Sequence, residues 1–220
     1  MWDKYVNIGG QVSGATIEGV LNHYINVYKY SPLKGGTYIE LPDDFKNSSK
    51  GIINIMNKDD KCFMWCHIAY LYPATSHKNR VSKYKMNEDK VNYDGITFPV
   101  TLNQIAKIEN QNKINFNVFS FDENEKYIVS LYITKNSYEK TCDKLLVYKL
   151  ADDYIVNSHY VLITDSSKLL YNQNRVGKRL EYCRRCLQHF YSKEKLNLHL
   201  LQCKKVDPQR TVFPDKKNNF

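Results

Sequence analysis

The chain has 220 residues, 42% of them hydrophobic and 25% charged, with a formal net charge of +9. This suffices for one main domain plus a small appendage, with a sizeable core. No apolar run approaches bilayer-spanning length, and the start "MWDKYVNIGG" lacks the basic-then-apolar signature of a secretory signal, so no membrane association is expected and the reading is intracellular, in cytoplasm or nucleus.

The charge is not spread evenly. Residues 168–220 hold 13 Lys and Arg against 4 Asp and Glu, while the first 167 residues carry 19 of each. Of the six cysteines, Cys183, Cys186 and Cys203 cluster with metal-ligand spacing and the other three are scattered, which favours a reducing compartment over a disulfide framework.

In chain order, residues 1–50 form an N-terminal helical, bracing segment. Within it "TIEGVLNHYINVYKY" places Ile17, Val20, Leu21, Ile25 and Val27 at amphipathic helical spacing, and "SPLKGGTYIELPDDF" breaks the pattern. Residues 51–172 read as an α+β domain. A short buried strand (Ile52, Ile53, Ile55) and a polar loop, "NKDDK", lead into a helix from about Cys62 to Tyr72 that stops at Pro73. "GITFPVTLNQIAKIENQN" sets Leu102, Ile105 and Ile108 on one helical face. Four strand-like runs follow, "INFNVFSF", "KYIVSLYI", "KLLVYKL" and "HYVLIT", predicting a mainly antiparallel sheet. "DSSKLLYN" starts a short helix capped by Asp165 or Ser166.

Residues 173–206 carry "CRRCLQHFYSKEKLNLHLLQC", spaced C-x2-C-x12-H-x3-C, and 207–220 form a basic tail. Cys183, Cys186, His199 and Cys203 can close a tetrahedron around Zn²⁺, with Phe190 and Leu196 as the small apolar core of a ββα finger. The final Cys in place of the commoner His keeps the site workable, because thiolate suits zinc. The positions that would face bases are Ser192, Lys195 and Leu198, and Leu198 cannot pair with a base edge. Sequence-specific reading is not expected. Arg175, Lys178, Arg179, Arg184, Arg185, Lys204 and Lys205 suit non-specific, salt-dependent phosphate binding, and equally suit a structural finger with a solvated basic face.

Cys62 follows a polar loop at a helix start, where the helix dipole and unpaired N–H groups would lower its pKa and could hold an oxyanion. Cys66, one turn on, reads as core packing. His159 begins a buried-looking strand nearly a hundred residues later and is the candidate base. The alternative is a core cysteine and a strand-edge histidine. A second metal site on Cys62, Cys66 and His67 is not expected, since His67 points about 100° away from Cys66 on a helix.

The order "DDKCF", "GITFPVTLNQIAKIENQNKINFNVFSF", "KLLVYKL", "SHYVLI", over residues 57 to about 164, resembles the ovarian-tumour (OTU) class of papain-like deubiquitinating cysteine proteases. That resemblance implies a helix packed on a mainly antiparallel sheet, with Asp59 shaping an oxyanion loop, Cys62 as nucleophile and His159 as general base, and a ubiquitin-like protein or a polyprotein as substrate. The sequence departs from the family at Asp60-Lys61, where Gly-Asn is usual, and at Val161, where an acidic or amide side chain often orients the imidazole. Asp165 is six residues beyond His159, roughly 20 Å along an extended strand, so it reads as a helix cap. Asn117 on a neighbouring strand is the other possible orienting group.

Nearly the full length, through "GIINIMNKDDKCFMWCHIAYLYP", "YDGITFPV", "NVF", "HYVLI" and the finger, is also similar to a module that precedes family B DNA polymerases in Polinton (Maverick) mobile elements. Three functions follow as expectations. One is a thiol hydrolase with a zinc-bearing tail. Another is a non-enzymatic replication-accessory module binding DNA or a polymerase through its basic finger region. The third is a protein-interaction domain.

Overall fold

A computed structural model describes residues 36–46, 51–122, 127–151, 154–171 and 179–207. The helix expected over 16–30 lies outside them, as do the tail beyond Asp207 and the cations Arg175 and Lys178.

The central helix α1 (Cys62–Leu71) begins and ends where the sequence places it, within a residue. Pro73 explains the stop, because a residue before proline is pushed out of the helical region, and Tyr72 sits at φ −128°, ψ 70°. Every residue from Cys62 to Ala69 is buried. A helix apolar on all sides must be covered on all sides. The sheet covers one face of α1, and Tyr84, Val91, Val100 and helix α2 (Ile105–Asn112) join the same cluster around it. Ile105 and Ile108 are fully buried, while Leu102, in the preceding turn, is partly so. Thr101 and Gln104 form a capping box at that turn, satisfying N–H groups that the helix start leaves unpaired.

Five strands make one sheet: β1 (Ile52–Ile53), β2 (Asn115–Asp122), β3 (Tyr127–Ile133), β4 (Thr141–Ala151) and β5 (Tyr154–Ile163). Their order is β1-β5-β4-β2-β3, with β2 and β4 parallel and the other neighbours antiparallel. The expectation of an α+β fold with a mainly antiparallel sheet is met. Two strands run longer than their apolar cores suggest, since β4 starts at Thr141 and β5 at Tyr154. Backbone pairing between the two carries polar residues such as Asn157 and Ser158 into the ladder.

Alternation along the strands sorts the core into two layers. Phe116, Val118, Cys142, Leu146, Tyr160 and Leu162 face α1. Phe119, Leu145, Val147, Val161 and Ile163 face the other way, with Phe45, Leu169, Leu180 and Tyr182. This second layer is covered by residues 39–45, by the short helix α3 (Ser166–Leu169) and by the start of the C-terminal hairpin. Asp165 caps α3, its Oδ1 accepting from the Lys168 N–H at 3.1 Å, as its composition predicts. Gly51 is required by its place: it sits at φ +70°, and a Cβ there would come within 2.6 Å of the Asp165 carbonyl oxygen.

The C-terminal hairpin of β6 (Glu181–Tyr182) and β7 (His189–Phe190) leads into α4 (Lys193–Cys203), the ββα order read from the sequence. It is tied to the sheet by an ion pair. Arg184 Nε donates to Asp143 Oδ2, and Asp143 is buried on the second-layer side of β4. Asp143 Oδ1 accepts from Asn117 Nδ2 at 2.8 Å, and Asn117 Oδ1 accepts from the Thr134 N–H at 3.1 Å. Asn117 is therefore spent on joining strands, and it offers nothing to His159.

Among the described residues no helix is long and apolar enough to cross a membrane.

Candidate functional site

Cys183 and Cys186 come from the turn of the β6–β7 hairpin, and His199 and Cys203 from one face of α4. Leu187 takes a left-handed φ of 59° at that turn, and backbone bonds from Leu187 N to Cys183 O (2.8 Å) and from Cys183 N to Gln188 O (2.9 Å) close the knuckle. His199 and Cys203 are four apart and so share a helix face. Ser192 caps α4 by accepting from the Lys195 N–H, which removes it from the set of base-facing side chains. Phe190 packs on the His199 ring at 4.7 Å.

The four ligand atoms all lie within 4.8 Å of one another and can hold a metal ion. Cys183 Sγ is 3.8 Å from Cys203 Sγ, and Cys186 Sγ is 3.3 Å from His199 Nε2. A tetrahedron with metal–sulfur bonds of about 2.3 Å has edges of about 3.8 Å, so the cage fits an ion of that size. A hydrogen bond from Cys186, together with backbone N–H groups of Cys186 and Arg185, pulls the Cys183 thiol well down towards the thiolate that a metal needs. Among the described residues this is the only such cluster, and Cys62, Cys66 and His67 do not form one.

The other candidate site is deep in the main core. Asn57, Asp59 and Lys61 organise the loop before α1. The Asp59 carboxylate accepts from the Lys61 N–H (3.0 Å), from Trp65 Nε1 (3.1 Å) and from Asn57 Nδ2 (3.1 Å). Lys61 pairs with Glu88 at 2.8 Å. Cys62, the first residue of α1, is fully buried, and its Sγ accepts from the Tyr160 N–H at 3.4 Å. Cys66 is buried one turn on, its thiol donating to the Tyr160 carbonyl at 3.3 Å.

The helix start does not lower the Cys62 pKa, contrary to the expectation from the dipole. Burial pushes this thiol up to about 12, and the Tyr160 and Phe63 N–H groups only partly offset it. Desolvation of a thiolate in an apolar core outweighs the partial charge of one helix end.

His159 is in the middle of β5, not at its start. It occupies the register of Val161 and Ile163, facing the second layer, whereas Tyr160 faces α1. Its ring stands 6.0 Å from that of Tyr38, and among the described residues neither ring nitrogen has a hydrogen-bond partner. Cys62 and His159 thus meet the same strand at neighbouring residues without a hydrogen bond between them.

Burial lowers the His159 pKa from 6.5 to about 4, against a small opposing effect of the Gly36 backbone. Between these values the unfolded chain takes up a proton that the folded chain refuses, so stability is complete above pH 6.5 and is lost as pH falls towards 4. The loss expected from this group is about 3 kcal/mol. In urea titrations at pH 7 and 4.5, wild type should lose about 2 kcal/mol more than His159→Leu. Equal losses would mean that the ring is not sealed from water.

No protein-family model, curated protein or solved structure matches the chain. Function therefore rests on the geometry and on the residues that carry the resemblance.

Two polar groups had no signal in the sequence. Lys144 is fully buried, its Nζ 3.8 Å from the Phe116 ring centroid, 4.1 Å from that of Phe63 and 3.1 Å from Cys142 Sγ. Glu109 is buried within α2, one turn after Ile105. Periodicity marks positions, and neither lies where a charged side chain is expected inside.

Proposed function

We propose that the chain is a zinc-stapled, non-enzymatic nucleic-acid-binding module of the replication-accessory kind, in which the metal folds the C-terminal hairpin and helix and thereby presents cations to phosphate. The observation that carries this is the ligand cage itself, which holds four ligand atoms at zinc spacing in a segment with too little apolar core to fold alone. Around it, residues 179–207 hold seven Lys and Arg against three Asp and Glu. Arg179 is paired with Asp165 and Arg184 with Asp143, while Lys193, Lys195, Lys204 and Lys205 are exposed. Leu198 is two-thirds exposed and Ser192 is engaged as a cap, so binding is to the backbone rather than to bases.

Fluorescence anisotropy with a labelled oligonucleotide tests this. Affinity should fall by about tenfold or more between 50 and 200 mM salt, as expected when several phosphates are neutralised. Absence of binding, or binding indifferent to salt, would overturn the reading.

A second reading, a thiol hydrolase of OTU-like type, is favoured by one observation: the Cys62 sulfur lies on the backbone of the strand that carries His159, beside a loop organised by Asp59. A ubiquitin-derived electrophilic probe separates the two. Labelling lost in Cys62→Ala and kept in Cys66→Ala would establish the hydrolase. With a fully buried thiol pushed up to about 12, no labelling is expected at neutral pH.

A further inference from the structure

A cleft of about 660 Å³ runs between the metal-bearing hairpin and helix on one side and the sheet end with the loop 134–138 on the other. Its lining has Lys135 on the sheet side and Arg184, Arg185, Lys204 and Lys205 on the finger side, against one acidic side chain, Asp207. Cations on two facing walls raise the local concentration of anions more than the same charges on a convex face.

We propose that this cleft binds the sugar–phosphate backbone of a single nucleic-acid strand; the inference rests on the nucleic-acid reading above and names its site and ligand class. Both cleft arginines are already engaged, Arg184 with Asp143 and Arg185 Nη2 with the Val206 carbonyl at 2.6 Å. Each guanidinium is anchored to the protein at one nitrogen, which leaves further N–H groups for phosphate or carboxylate. Lys135, Lys204 and Lys205 are all exposed and are point charges suited to successive phosphates without regard to sequence.

The Asn115 and Asn136 side chains in the lining are committed to the protein. Asn115 Nδ2 donates to the Tyr138 carbonyl (2.7 Å) and Oδ1 accepts from the Tyr138 N–H (3.1 Å). Asn136 Nδ2 donates to Glu109 (3.0 Å). They build the wall and leave base edges unread. Tyr138 also lines the cleft, with the Lys113 ammonium 5.7 Å from its ring centroid, which adds a cation beside the sheet-side wall. A recess with two walls admits one strand, whereas the convex side of a duplex would meet only its rim.

The test uses the full-length, zinc-loaded chain and fluorescein-labelled oligo-dT. Changing Lys135, Lys204 and Lys205 together to Glu should weaken binding at least tenfold and lower the salt slope by about two, given a slope of about 0.7 per phosphate on single strands. The control Lys58→Glu with Lys83→Glu and Lys85→Glu makes the same change of charge at exposed sites of the main domain, outside the cleft lining, and should cost less than threefold. Zinc content and circular dichroism confirm that both variants are folded.

Equal losses from the two sets would overturn the cleft while leaving the nucleic-acid function standing. A wild-type chain that does not bind oligo-dT would overturn both. Equal affinity for a duplex of the same length would overturn the single-strand assignment. Equal affinity for a poly-glutamate peptide, lost in the same triple variant, would replace nucleic acid by an acidic protein segment.

Discussion

Chelating the proposed zinc from the full-length chain is expected to unfold the hairpin and helix between Tyr182 and Cys203 while the five-stranded domain remains folded. The two finger strands have two residues each, and of the eleven residues in α4 only Cys203 is buried. Leu198 and Leu201 are about two-thirds exposed. A helix of this length with so little burial is unstable by itself in water. Metal binding at a structural site of this kind supplies apparent free energies of about 10–16 kcal/mol, the largest single contribution to this segment.

Leu180 and Tyr182 pack in the second core layer, and the chain there should stay attached to the sheet. The Arg184–Asp143 pair should be weakened, since nothing then holds the knuckle that carries Arg184. Hydrogen exchange by mass spectrometry would show protection lost over 192–203 and kept over 115–163. Cys203→His should retain one zinc per chain and Cys203→Ala should not. Unchanged protection in α4 after metal removal would show that the cage is not what folds it.

Glu109→Ala is expected to be the most damaging single substitution in the main domain, costing about 3–5 kcal/mol. Glu109 is 1% exposed and its carboxylate accepts three hydrogen bonds. Oε1 takes the Phe116 N–H at 2.7 Å, and Oε2 takes the Tyr132 hydroxyl at 2.8 Å and Asn136 Nδ2 at 3.0 Å. These donors belong to β2, β3 and the loop that walls the cleft, so one side chain joins α2 to three parts of the fold. Truncation strands the buried Phe116 N–H, at about 1–3 kcal/mol for an unsatisfied group, and removes an acceptor from the half-buried Tyr132 hydroxyl and Asn136 amide. Partial rehydration through the cavity keeps the total below the simple sum. Glu109→Gln retains an acceptor oxygen but turns the other position into a donor facing donors, so an intermediate loss is expected. Denaturant titration at pH 7 measures both, and a loss under about 1 kcal/mol for the alanine variant would dissolve the claim that this carboxylate organises the region.

The features legible in the sequence are those written in local spacing. The ligand set Cys183, Cys186, His199 and Cys203 needs only a knuckle and one helix turn to converge. Helix α1 is bounded by the polar loop before it and Pro73 after it, and Asp165 caps α3 from three residues away. The two apolar faces of β4 and β5 follow from alternation, a property of each strand alone.

Other features depend on partners far along the chain. The Cys62 thiol looked activated because a helix start is visible in the sequence, whereas the apolar layers that bury it come from residues 84 to 162. His159 looked like the mate of Cys62, and it lands on the opposite sheet face because it shares the register of Val147, Val161 and Ile163, while α1 packs on the face of Leu146, Tyr160 and Leu162. Arg184 read as one more surface cation until the fold brought Asp143 beneath it. Lys144 and Glu109 were ordinary charges in a strand and a helix, and only packing encloses one between two aromatic rings and surrounds the other with donors. Spacing and periodicity act over one or two turns, so the sequence by itself determined the elements, their caps and the metal cage. Desolvation and the pairing of buried charges depend on which distant segments close over a group, and those the tertiary structure decided.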